Sequence, residues 1–205
     1  MQTRIGFLAR VSGRAFTRSF RMILQRLRHA TAGHHHALEA TLPFPKSLPE
    51  YQARLRWYYG FLAPWEASLE RHHPNLGNSP KTRWLEEDLR HFSTDITQVP
   101  RCSTLPPVQS LSEALGSLYV WEGSMLGAQT ISRQLCDTLG VSNSTGGRFF
   151  HGYGEDTASQ WNRFRDRLQK HMETGESDTV IASAQLTFIH VQAWMEQCSK
   201  HEGRN

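Results

Sequence analysis

No Asp or Glu occurs before Glu39, although seven arginines fall within residues 1–38. A basic, acid-free start containing Ser and Thr is compatible with an organelle transit peptide or with a surface arm for anionic partners. A third reading, which we prefer, starts translation at Met22 and leaves residues 1–21 as an extension outside the folded unit, because the helical pattern sharpens only after Met22. Cysteine is scarce: Cys102, Cys136 and Cys198 lie far apart, with no CxxC pair. That excludes a disulfide framework or a cysteine zinc site and points to a reducing compartment, here the cytoplasm. No run of eighteen apolar residues exists, so no membrane span is expected. Phosphate loops and dinucleotide fingerprints are missing too, and Gly123-Ser124-Met125-Leu126-Gly127 is not the G-x-S-x-G of a nucleophile elbow. The arginines lack a nucleic-acid motif or interleaved aromatics, which argues against a nucleic-acid partner.

What remains is a chain of 205 residues, 38% hydrophobic and 10% aromatic with a formal charge of +4, enough for one globular domain with one core. The periodicity is helical throughout, with no alternating β pattern. Helices are expected over 23–40, 48–70, 82–97, 108–139, from Thr157 to Gly175, and over 177–199. Pro43 and Pro45 stop the first, and Gly140–Gly147 forms a loop. The fold class is therefore all-α, a single compact bundle of about seven helices spanning 22–200, with 201–205 as a tail.

Two stretches offer chemistry. Gly123 and Gly127 sit at i and i+4 inside the longest helix, where each glycine costs about 1 kcal/mol relative to alanine. Together they strip one face to bare backbone. Close packing of another helix would use such a face, and so would a broad, flat ligand. Upstream, three consecutive histidines are followed by Glu39. His35 and Glu39 are four apart and share a face, which suits an imidazole that binds a metal through one nitrogen and is held by a carboxylate at the other. A solvated surface run reads the same residues as well. Glu70-x-x-His73 and Asp88-x-x-His91 resemble loosely the paired motifs of di-iron bundles, although the first runs into Pro74 and the second begins with Asp.

Taken together, these stretches resemble the haem oxygenase family. Leu27-Arg28-His29-Ala30-Thr31-Ala32-Gly33-His34-His35, followed by Glu39, is similar to its proximal-helix signature. Tyr119-x-x-Glu122-Gly123-Ser124-x-Leu126-Gly127 is similar to the distal helix of bacterial members, especially those associated with bacteriophytochromes. Tyr51, Phe61-Leu62-Ala63-Pro64-Trp65-Glu66 and Trp161-x-x-Phe164 fit the same members, and the likeness runs over about 22–198. It implies His35 as the iron ligand and Glu39 as its partner. Gly123 and Gly127 would bring the distal backbone close to haem, leaving room for O₂ and directing oxidation to the ring edge. Arg28, and less directly Tyr119 and Arg163, would meet the propionates, and Phe188 would pack on the ring. Haem is then both substrate and cofactor, opened to biliverdin, CO and ferrous iron. Electrons would come from a ferredoxin or an NAD(P)H-dependent reductase, and a bacteriophytochrome is a candidate acceptor of the product.

Two departures bear on this. Ser124 stands where animal members carry the aspartate that orders water near the bound oxygen, and Ala128 stands where the family often has a further glycine. A hydroxyl still holds a water, but without charge. The Ser124 departure keeps open a haem carrier or sensor of the same fold without turnover. A non-haem protein, di-iron or small-molecule-binding, is the remaining alternative.

Overall fold

The computed structural model describes residues 23–76, 79–172 and 176–202, and every regular element among them is helical. The expected extension over residues 1–21, the expected break at Gly175 and residues 203–205 lie outside the described residues. Helix α1 covers 23–41, α2 Leu48–His72, α3 Lys81–His91, α4 Leu111–Leu139, α5 Arg148–His151, α6 Thr157–Met172 and α7 Ser177–Glu202. A 3₁₀ turn at Gly154–Asp156 joins α5 to α6.

The helix ends follow from local chemistry. Ser110 and Glu113 form a capping box at the start of α4: Ser110 Oγ accepts from Glu113 N at 3.2 Å, and Glu113 Oε2 accepts from Ser110 N at 2.9 Å. Gly140, at φ 69°, closes the helix in the left-handed conformation that costs glycine little. Of the stripe Tyr51, Leu55, Tyr58, Tyr59, Leu62, Trp65 and Leu69 that helical spacing marks on α2, all are buried except Tyr58, which is half-buried.

Two expectations need correction, and one short helix was not foreseen. Helix α3 ends at His91, not near Thr97, because Ser93 adopts φ 55° and Thr94 N turns back to Leu89 O at 2.9 Å. Helix α4 starts at Leu111 rather than Val108, where Ser110 caps it. Helix α5 follows the expected Gly140–Gly147 loop, in a stretch for which the sequence suggested no element. It is only four residues long and is held from a distance: Asp88 accepts the backbone N–H of Arg148 at 2.7 Å and of Phe149 at 2.8 Å.

Burial pushes the Asp88 carboxyl up to about 6 from 3.8, outweighing those two hydrogen bonds. With its folded value raised, its stabilising contribution is full below about pH 4 and is lost as pH rises through about 6. Urea unfolding should therefore show a loss of roughly 3 kcal/mol across that window from this group. Asp88→Asn should flatten that segment of the pH profile; an unaltered slope would assign it to another group.

Helices α4 and α7 cross closely and run antiparallel. A Cβ at Gly116 would stand 2.3 Å from Val180 O and 2.7 Å from Ser183 Cβ, and Ser183 Oγ donates to Glu113 O at 2.7 Å. Helix α1 lies along α7 in the same direction. Arg26 pairs with Asp178 at 2.6 Å, and Gln185 Nε2 donates to Ala30 O at 3.0 Å, while Leu27 is fully buried.

Candidate functional site

On α1, His36 points away from the buried Leu27, His35 lies about a quarter turn round from it, and His34, seven residues on, returns close to the Leu27 face. His35 is neither buried nor fully in solvent: its side chain is 56% exposed, and one ring edge rests on Phe188 of α7 at 6.0 Å between centroids. Its Nδ1 lies 3.3 Å from Glu39 Oε2. A proton at Nδ1 held by that carboxylate leaves the Nε2 lone pair available to a metal. His36 Nδ1 reaches the same oxygen at 3.4 Å, but its side chain is 82% exposed. Phe188 itself is buried, so it offers His35 a fixed apolar wall.

One turn earlier, Thr31 and Tyr119 tie α1 to α4. Burial pushes the Tyr119 phenol up, against the hydrogen bond with Thr31 and the charge of Arg28. The phenol therefore stays protonated beside an exposed guanidinium. Trp161 of α6 packs on the Tyr119 ring at 6.1 Å. Arg28, Thr31, Tyr119 and Trp161 thus form one group, with His35 a turn beyond it on α1 and Gly123 a turn beyond it on α4, each about 6 Å along its own helix.

The glycines decide between the two uses of a bare helix face. Gly116 and Gly60 are demanded by packing, since a Cβ would meet Val180 O at 2.3 Å or Pro100 O at 2.5 Å. Among the described residues, a Cβ at Gly123 or Gly127 would meet nothing within 4 Å outside its own helix backbone. No described neighbour requires glycine there. Between them, Ser124 is exposed, and its Oγ donates to Trp121 O at 2.8 Å. With its proton engaged, the hydroxyl presents lone pairs, the role a carboxylate would play toward a water.

A family profile described as "Heme oxygenase" matches residues 21–197. The chain belongs to the haem oxygenase family. It is also 34% identical over 109 residues to a "Heme oxygenase" of Xanthomonas campestris pv. campestris (strain 8004), a match covering 52% of this chain and 61% of that relative. The all-α fold read from periodicity is the haem oxygenase fold, carried here by seven helices and no strand among the described residues.

Of the residues that the haem oxygenase resemblance singles out, the structure groups His35 with Glu39 and Phe188, and Arg28 with Tyr119. Arg163 is not brought to either group. It lines a cavity between α4 and α6 whose walls include none of His35, Arg28, Tyr119, Gly123 or Gly127. The loose di-iron motifs do not converge: Asp88 is committed to the α5 backbone, and no three His, Cys, Asp or Glu side chains cluster in metal-binding geometry among the described residues.

A polar network behind Gly123 escaped the sequence analysis. Lys81 is fully buried, and its Nζ donates to Glu122 Oε1 at 2.6 Å and to Ser79 Oγ and Tyr153 OH at 3.3 Å each. Burial pushes this ammonium down; Glu122, Tyr153 and Glu66 more than offset that, so its pKa stands above the ordinary value. Glu66 accepts from Ser79 Oγ and from Thr82 N, and burial pushes its carboxyl up. Nothing local marks Lys81: beside Pro80 at a helix start it reads as a surface lysine. A buried pair of this kind costs desolvation, and its benefit is one defined arrangement rather than stability. Here it anchors α4 at the residue next to Gly123.

Proposed function

We propose that this chain binds haem between α1 and the glycine face of α4 and, using O₂ and external electrons, opens it to biliverdin, CO and ferrous iron. The observation that carries the reading is the open space over Gly123 and Gly127, in a helix that would be more stable with alanine at both positions. The haem supplies the iron at which O₂ is reduced. His35 holds that iron through Nε2, and Glu39 fixes the imidazole at Nδ1. Phe188 bears on the same imidazole and limits its rotation. Arg28 and the protonated Tyr119 meet the propionates, with Thr31 orienting the phenol. The main chain at Gly123 and Gly127 excludes bulky groups above the ring, and Ser124 Oγ accepts from a water there.

Electrons come from a separate ferredoxin or reductase, since the sequence carries no flavin or nicotinamide motif. A bacteriophytochrome is the proposed receiver of the product. The cysteines described as free, Cys102, Cys136 and Cys198, support a cytoplasmic setting. Among the described residues, no helix is long and apolar enough to cross a membrane.

The test is single: haem, O₂ and a reductant such as ascorbate are added to the full chain. The Soret band is expected to give way to the red absorbance of bile pigment. A Soret band that persists would make the protein a carrier or sensor instead.

A further inference from the structure

The cavity between α4 and α6 belongs to none of the groups above. It measures about 310 Å³, and its polar wall is made by Ser79, Glu122, Tyr153, Gln160, Arg163 and Arg167. Leu115, Leu118 and Phe164 supply an apolar floor. We propose that this cavity is a second binding site, for a small amphipathic carboxylate held by Arg163 and Arg167 with its apolar body on that floor.

The charges favour an anion. Arg163 and Arg167 are four apart on α6, share a face and both line the cavity with exposed side chains, so one ligand can meet both. Neither makes an ion pair with a carboxylate among the described residues. Glu122, the one acid among the described residues of the wall, is already matched by Lys81 at 2.6 Å. Counting Lys81 and Glu66, which back the wall, three cations face two carboxylates, a surplus of one positive charge even with both acids ionised. Ser79 and Tyr153 donate to Glu66 and Glu122, which leaves the two arginines and the Gln160 amide as donors for an incoming carboxylate. The volume lies at the low end for small-molecule sites, which selects a ligand of benzoate size over a macrocycle.

This site stands whether or not the chain turns over haem. It is tested on the full chain by ¹H–¹⁵N NMR titration with benzoate and with its uncharged isostere benzamide, following the side-chain signals of Arg167 and Gln160. Benzoate should bind at least about tenfold more tightly than benzamide, and Arg167→Gln should weaken benzoate by about tenfold or more, the scale of a charge-assisted hydrogen bond. Haem titration of Arg167→Gln should match the unsubstituted chain. Equal affinity for the two probes, no shift with benzoate, or unchanged benzoate binding in the variant would overturn the proposal. So would a loss of haem affinity in Arg167→Gln, which would return these arginines to the haem site.

Discussion

His35→Ala is expected to lower haem affinity by at least about a hundredfold and to abolish bile-pigment formation while the apo-protein folds as before. Removing even the partner of a ligating histidine commonly costs ten- to a hundredfold in metal affinity, and the ligand itself should cost more. The fold should not suffer. The His35 side chain is 56% exposed, and its only described contacts are Glu39, Phe188 and the neighbouring His36 ring. Substitution at such a site usually stays within about 0.5 kcal/mol. His34→Ala and His36→Ala serve as controls: neither should change the iron spectrum, since the Glu39 contact of His36 belongs to a ring 82% exposed. Added imidazole should restore the spectrum of His35→Ala by filling the place of the lost side chain. If His35→Ala keeps both affinity and spectrum, the proximal assignment is wrong, and whichever of the control variants fails will name the ligand.

Gly127→Leu is expected to cut turnover by at least about a hundredfold in a chain that remains folded, because the leucine enters space that no described residue outside the helix backbone occupies within 4 Å of the Cβ. Gly127→Ala makes the same argument from the other side. It should stabilise the apo-protein by about 1 kcal/mol, raising Tm by about 2–4 °C, while weakening turnover. A gain in stability with a loss of activity is the signature of a residue kept for a ligand. Gly116→Ala is the contrast, since its methyl would stand 2.3 Å from Val180 O and should destabilise the chain. Full turnover in Gly127→Leu would refute the close approach of backbone to haem.

How far the sequence reveals this molecule depends on where each property originates. The stripe from Tyr51 to Leu69 recurs at helical spacing by itself, so its helix is legible. The end of α3 is not: Ser93 takes φ 55° without being glycine, and no local pattern announces that turn. Helix α5 depends on Asp88, sixty positions upstream, and read in isolation Asp88 suggests only a weak metal motif. At the site, the His35–Glu39 spacing and the glycine pair are written in order along the chain. Their two open readings separate only in three dimensions, where Gly116 takes the helix crossing and Gly123 and Gly127 do not. Arg163 is visible as a cation, but the rotation of α6 about its axis decides which cavity it enters, and that rotation is set by Phe164 and Leu168 in the core.

The Lys81–Glu122 pair has a bearing on how the distal segment moves. Seven residues further along α4, Gln129 Nε2 donates to Gly154 O at 2.7 Å, so the stretch holding Gly123 and Gly127 is pinned at both ends. Between those pins the segment resembles a short beam on two piers, free to sag but not to slide. Headroom above the ring then becomes a matter of how far that beam flexes, and the piers, remote from any reacting atom, set its limits.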